Sequence, residues 1–342
     1  MIKIEYKYYK IWITLIKGIG IKRYINLIKK FKTIKNIFNA TEKELTNIPL
    51  IDEDIIKNIL NIQNKILAKK HLVYMEKNNI DIISIEDFEY PKNLMSIYNP
   101  PICIYIKGNK QIFKSKSLGI IGCRECTQYG KKTAQRFSYN LAINKINIVS
   151  GLARGIDSEA HLGAIYGKGL TTAVLGNGID TVYPKENYYL AEKILMNNGT
   201  IISEYPIGTK PEKMNFPARN RIISGISNGI LVVEAKKKSG TLITVDFALE
   251  QGRDVFIVPR EYRFFKFRGN KWFDKARWKN GYLLWRYFRS NLDKLITSFK
   301  NSSKQKVKNI QKYIKQGKIL NKYMILSIFV ERFLLTIVSF MI

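Results

Sequence analysis

The chain has 342 residues, enough for two or three domains with at least one core able to stand alone. Its 58 Lys+Arg against 27 Asp+Glu give a formal charge of +31 and an isoelectric point near 9.9, which favours a polyanionic partner, nucleic acid ahead of a membrane surface. Three cysteines and two histidines exclude a zinc site of ordinary spacing and, with no secretory signal, predict a reducing cytoplasm. Heavy use of Ile, Lys and Asn is also what an AT-rich coding sequence yields, so charge alone selects no function.

Residues 1–68 read as a helical N-terminal domain. Ile11, Leu15 and Ile16 precede Gly18-Ile-Gly-Ile-Lys-Arg23, Leu27, Ile28 and Phe31 recur at helical spacing, and Ala40-Thr-Glu-Lys-Glu-Leu45 predicts a fresh N-cap. A glycine hairpin followed by Lys22 and Arg23 fits a helix-hairpin-helix that grips a phosphate backbone through main-chain N–H groups; it fits equally a bundle packing against its neighbour. Next come a helix over 69–77, a strand over 81–84 and an apolar run over 102–106.

From Leu118 onward, apolar runs at 118–121, 146–149, 170–175, 200–203, 229–233 and 254–258 alternate with segments of helical pattern. Buried strands alternating with helices predict an α/β fold, a Rossmann-like, doubly wound and mostly parallel sheet over residues 69–259. Ligands of such sheets lie beyond the carboxyl ends of the strands. There the sequence places Gly122 and Arg124, then Ser150, Gly151, Arg154 and Gly155, then Gly176 and Gly178. Lys210, Lys213, Arg219 and Arg221 follow the fourth parallel strand, and Ser239 and Gly240 open the helix after the fifth.

Glycines allow tight turns, hydroxyls and helix-start N–H groups suit phosphate, and guanidinium forks match it bidentately. We therefore expect DNA contacts from Arg124, Arg154, Lys210, Lys213, Arg219 and Arg221, and phosphate-loop roles for Gly122, Ser150, Gly151, Gly155, Ser239 and Gly240. Tyr129, Tyr183, Tyr205 and Phe216 offer stacking faces for bases. No catalytic set, metal or cofactor is expected. His161 has no acid partner in the pattern, Cys123-x-x-Cys126 has no companion redox motif, and Glu204 with Glu234, at strand ends read as neighbouring, is the one candidate acid–base pair.

The ordered motifs Gly-Cys-Arg124, Ser150-Gly-Leu-Ala-Arg-Gly-Ile-Asp157, Ser203-Glu-Tyr-Pro206, Phe216-Pro-Ala-Arg-Asn-Arg-Ile222 and Ser239-Gly-Thr-Leu-Ile-Thr244 resemble the bacterial DNA-processing family DprA, also called Smf. The resemblance runs from the N-terminal helices to Pro259. It implies an extended Rossmann fold that binds single-stranded DNA without sequence preference, forms a homodimer, and helps load a RecA-type recombinase during natural transformation. By position it implies that Arg124 is the arginine of the family's Gly-Ser/Thr-Arg motif and that Lys210, Lys213, Arg219 and Arg221 form its basic lip. Cys123 departs from the usual Ser or Thr, which puts a hydroxyl-to-phosphate bond in doubt. The alternative from another class is a nucleotide phosphoribohydrolase on a similar sheet; three lysines before Ser239, in place of a Pro-Gly-Gly-x-Gly-Thr turn, favour polymer binding.

After Pro259 the composition changes. Residues 260–342 carry 20 Lys+Arg against 4 Asp+Glu and three of the four tryptophans. Read one base out, the codons of Arg260-Glu-Tyr-Arg-Phe-Phe265 can spell Gly-Asn-Ile-Asp-Ser, as the family would have there. We therefore expect an out-of-frame tail in place of the end of the sheet and the family's winged helix; the bland alternative is a divergent basic extension. Its apolar end, 324–342, is interrupted by Glu331 and Arg332 and makes a poor membrane span.

Overall fold

The structure, a computed structural model, describes residues 2–236 and 239–258. The expected tail, 260–342, lies outside the described residues.

Six helices come first: α1 (Ile2–Leu15), α2 (Ile21–Phe31), α3 (Ile34–Phe38), α4 (Glu42–Leu45), α5 (Glu53–Leu60) and α6 (Ile62–Lys77). Their starts are encoded locally. Thr33, Asp52 and Asn61 cap α3, α5 and α6 by accepting from main-chain N–H groups, and Thr41 with Glu44 forms a capping box on α4. Trp12, Tyr24, Leu27, Ile37, Leu45 and Ile59 bury together, and that core continues into the sheet at Tyr105, Ala173 and Ile201. The expected division at residue 68 falls inside α6, where Ala68, His71 and Met75 form one buried stripe. Arg23, which follows the glycine hairpin, donates to Leu50 O and Gly18 O and so stabilises the hairpin itself.

The sheet has eight strands: β1 (Ile80–Ser84), β2 (Cys103–Gly108), β3 (Ser117–Gly122), β4 (Asn147–Ser150), β5 (Thr171–Val174), β6 (Thr200–Ser203), β7 (Gly229–Glu234) and β8 (Asp254–Ile257). Their order is β1-β2-β6-β5-β4-β3-β7-β8. The six from β3 to β8 are mutually parallel, as expected, while β2 is antiparallel to both β1 and β6. The short α7 (Lys92–Met95) links β1 to β2, and α8 (Gln128–Ile143), α9 (Ile156–Tyr166), α10 (Tyr188–Met196), α11 (Asn215–Ile226) and α12 (Gly240–Glu250) are the crossovers.

Chain progression reverses at β3: β4, β5 and β6 are added on one side, then β7 and β8 on the other. Right-handed crossovers therefore put α8, α9 and α10 on one face and α11 with α12 on the other. The reversal opens a crevice beyond the carboxyl ends of β3, β4 and β7, where the glycine-rich motifs converge.

Candidate nucleic-acid interface

The loop from β3 to α8 is pinned at both ends. Cys123 N donates to Glu234 O at 2.8 Å, and the Glu234 carboxylate accepts from Thr127 N at 3.0 Å and Thr127 Oγ1 at 3.1 Å. Thr127 Oγ1 accepts in turn from Gly130 N, which caps α8. Arg124 stands exposed between these anchors, its guanidinium carbon 5.9 Å from the Phe216 ring centroid. Burial pushes the Cys123 thiol up to about 11 and raises that of Cys126, so both stay protonated at neutral pH and neither is activated as a redox nucleophile.

The loop from β4 to α9 folds against the first. Gly155 has φ +77°, and a Cβ there would lie 2.4 Å from Arg124 O and 2.5 Å from Cys123 O. Gly122 likewise leaves room for Ile156, whose Cγ1 would meet an added Cβ at 2.4 Å. These two glycines seat loop on loop. The expected phosphate donors of this segment are turned inward: the Ser150 hydroxyl donates to Ile120 O at 2.7 Å, and Gly151 N donates to Asp157 Oδ2 at 3.1 Å. Arg154 is exposed and paired with Glu186. At α12 the Ser239 hydroxyl accepts from Thr241 N as an N-cap, and a Cβ added at Gly240 would meet nothing within 4 Å among the described residues.

The basic lip divides into two kinds of cation. Lys210 and Lys213 are exposed on the connection from β6 to α11. That connection is tied to the end of β5, since Gly178 N donates to Thr209 O and Gly208 N to Asp180 Oδ1, both at 2.9 Å. Arg219, expected on the lip, lies beneath it with 4% of its surface exposed. Its Nη1 donates to Gly151 O at 2.9 Å and also to Val174 O. Burial lowers its pKa to about 10, which leaves it cationic at neutral pH. Arg221 is held by Glu204 through two hydrogen bonds and donates to Asn99 O at 3.0 Å.

The stacking candidates also separate. Tyr183 is 41% exposed and its ring lies 5.5 Å from that of Phe216 at an interplanar angle of 36°. Tyr183, Phe216 and Arg124 therefore form one continuous row of flat groups along the rim. Tyr205 is tied in by its hydroxyl, which donates to Asn215 O at 3.3 Å, and Tyr129 is exposed on the first turn of α8.

The groups with acid–base potential are committed elsewhere. His161 is fully buried, with Nδ1 2.6 Å from Thr171 Oγ1, and burial depresses its pKa to about 3. Glu204 and Glu234 do not lie at neighbouring strand ends as expected. The sheet order puts β5, β4 and β3 between their strands, about 19 Å at about 4.8 Å per strand, too far for one reacting centre. Among the described residues no cluster of His, Cys, Asp or Glu could hold a metal ion, and no helix is long and apolar enough to cross a membrane. Sequence reading assigned no role to Asp157 and none of its loop-anchoring role to Glu234. An acid in the first turn of a glycine-started helix was the available signal for Asp157.

A family model described as DNA recombination-mediator protein A matches residues 81–278, more than half of the chain. Protein Smf of Synechocystis is 38% identical over 259 residues, covering 75% of this chain and 65% of that protein. The DNA processing proteins DprA of Streptococcus pneumoniae and Bacillus subtilis are 45% and 43% identical over 176 and 189 residues, covering 52% and 55% of this chain. Each match spans less than two thirds of these curated relatives, 62% and 63% for the latter two. The crystal structure of Streptococcus pneumoniae DprA superposes with a TM-score of 0.64 at 32% identity, covering 75% of this chain and 88% of that one.

Proposed function

Because the chain belongs to the DNA recombination-mediator protein A family, we propose that it holds single-stranded DNA by its sugar-phosphate backbone, without sequence preference, along the rim beyond the carboxyl ends of the parallel strands. The observation that carries this reading is the row Tyr183–Phe216–Arg124, exposed at Tyr183 and Arg124 and half-buried at Phe216 between them, with Lys210 and Lys213 exposed on the adjoining connection. Binding a single strand calls for cations that follow phosphates and flat faces on which any base can stack.

A titration with fluorescent oligo-dT tests it. Affinity should fall steeply with salt, by roughly −0.7 in log–log slope for each phosphate neutralised, and should change little among mixed sequences. Binding that ignores salt, or that prefers one base at one position, overturns the reading. Release of free base from a nucleoside monophosphate would instead favour a phosphoribohydrolase; the internal commitments of His161 and Glu204 support a binding protein over an enzyme.

The proposal extends to cytoplasmic work as a homodimer that helps a RecA-type recombinase assemble on the strand during DNA uptake, as the family resemblance implies. Faster recombinase filament growth on coated single strands in its presence is the expected result, and unchanged growth overturns that part. We propose likewise that residues 1–68 are a helical domain, 69–259 the DNA-binding domain and 260–342 an out-of-frame tail. Sequencing the gene around codon 260 tests the last; an intact frame there removes it.

A further inference from the structure

We propose that Asp157 is a resident anion: its carboxylate occupies the phosphate position of the β4–α9 loop and closes that loop to phosphorylated mononucleotides, so that anions meet the protein at the outer rim. The part concerning the rim rests on the DNA-binding reading above; the closure of the loop stands on geometry.

In open α/β sheets a phosphate between a strand end and the following helix is held by loop N–H groups, the positive end of the helix and a nearby cation. This loop has all three, and they meet on Asp157. Gly151 N and Ala153 N point at Asp157 Oδ2 from 3.1 and 3.4 Å. The Ser150 hydroxyl lies beside the same carboxylate. Arg219 approaches the same side of Gly151: a Cβ built on that glycine would lie 2.6 Å from Arg219 Nη2 and 2.8 Å from Asp157 Oδ2. Gly151 thus keeps open a small space that a buried cation and a buried carboxylate share, with 4% and 8% of their surfaces exposed.

An ordinary capping carboxylate accepts from N–H groups of its own helix. Asp157, in the first turn of α9, reaches back to residues 151 and 153, outside that helix. Its charge is balanced by an arginine from α11, which also holds the carbonyls of Gly151 and Val174. Asp157 and Arg219 together therefore gather the ends of β4 and β5 and the helix α11, as a bound phosphate and its cation would. Burial leaves the Asp157 pKa above its ordinary value, although Arg219, the two amides and the Ser150 hydroxyl all favour the carboxylate. A second anion brought beside it would meet like charge in a desolvated site, which disfavours entry.

The test uses the full chain and Asp157→Ala, with inorganic phosphate as the probe and sodium chloride of equal ionic strength as the control. Wild type should gain in phosphate only what surface exclusion of the salt and weak binding at the outer rim give it. Asp157→Ala should gain about 4 °C more than wild type at tenfold excess over the dissociation constant, with new hydrogen-exchange protection at the Gly151 and Ala153 amides. If the variant folds only in phosphate, the inference is supported, because the free anion has taken the carboxylate's place. Recovery in neither buffer, a variant that gains no more than wild type, or phosphate protection of those amides in wild type overturns it. Oligo-dT titration of the same preparations separates the two ideas: wild type that ignores oligo-dT sinks the rim reading and leaves the phosphate comparison intact.

Discussion

Arg221 grips both oxygens of Glu204 with its terminal nitrogens, at 2.8 and 2.6 Å, and so fastens the end of β6 to α11. The two side chains are 12% and 15% exposed, so removing either partner leaves a largely desolvated charge. Arg221→Ala should cost about 3–5 kcal/mol of stability, read as a fall in the urea midpoint. Below its melting temperature the variant should keep the wild-type salt slope for oligo-dT, because Glu204 already neutralises the arginine.

Arg124 should behave in the opposite way. It is exposed on a loop anchored at both ends, so Arg124→Ala should fold normally and lose about 0.7 of the log–log salt slope, by about the same amount for every sequence. Lys210→Ala and Lys213→Ala should each lose a similar amount. Fluorescence anisotropy across a salt series measures all three. A slope unchanged in Arg124→Ala would remove this residue from the interface.

Stacking and charge can be separated at Phe216. Its ring lies beside both Tyr183 and Arg124, and it also covers Gly176, whose added Cβ would lie 2.8 Å from Phe216 Cδ1. Phe216→Leu keeps apolar bulk there and removes the flat face. Oligo-dT affinity should fall by about 1–3 kcal/mol, the range for one stacked base, with the salt slope unaltered. A large fall in melting temperature with no loss of affinity would mean that the ring serves packing alone.

Gly155 couples the two loops most tightly. Gly155→Ala would have to keep φ near +77° and place a methyl 2.4 Å from Arg124 O, so the main chain itself must move. The cost should exceed about 1 kcal/mol and displace Arg124 with it. Stability and DNA affinity should therefore fall together, unlike at Arg124, where only affinity falls. Paired urea and anisotropy measurements on the two variants show the contrast.

The parallel strands were readable because strands buried on both faces appear as unbroken apolar runs; the ends of all six runs fall within one residue of the observed strand ends. Strand order was not readable, which is why Glu204 and Glu234 looked adjacent and are not. The glycines were visible as turn formers, yet what they make room for comes from elsewhere in the chain: Ile156 at Gly122, and the carbonyls of residues 123 and 124 at Gly155. The burial of Arg219 had a signal that went unused. With α11 starting at Asn215, Arg219 falls on the stripe of Ile222, Ile223 and Ile226, the buried face, whereas Arg221 does not. The continuity of α6 through residue 68 also follows from its sequence, since 62–77 contains neither Gly nor Pro and Ala68, His71 and Met75 keep helical spacing.

His161 gives a prediction in acid. Thr171 Oγ1 donates to Ile148 O at 2.7 Å, so it accepts from His161 Nδ1–H, which leaves Nε2 as a buried acceptor without a partner among the described residues. The ring is folded in as the neutral tautomer, and burial, then the nearby Arg219, hold its pKa down at about 3 against an ordinary 6.5. Between those values the unfolded chain binds a proton that the folded chain refuses, so stability rises with pH through the window and is complete above 6.5. Each unit of acidification within it costs about 1.4 kcal/mol, or about 2 kcal/mol from neutral pH to about pH 5. His71, the other histidine of the chain, is also lowered by burial and adds to the loss, while Asp81, held at about 2, titrates well below this range. His161→Gln, which can still donate to Thr171, should remove about 2 kcal/mol of that acid sensitivity and leave the part due to His71. Urea midpoints at neutral pH and near pH 5 measure the difference, and equal losses in wild type and variant would mean that His161 is already protonated in the folded chain.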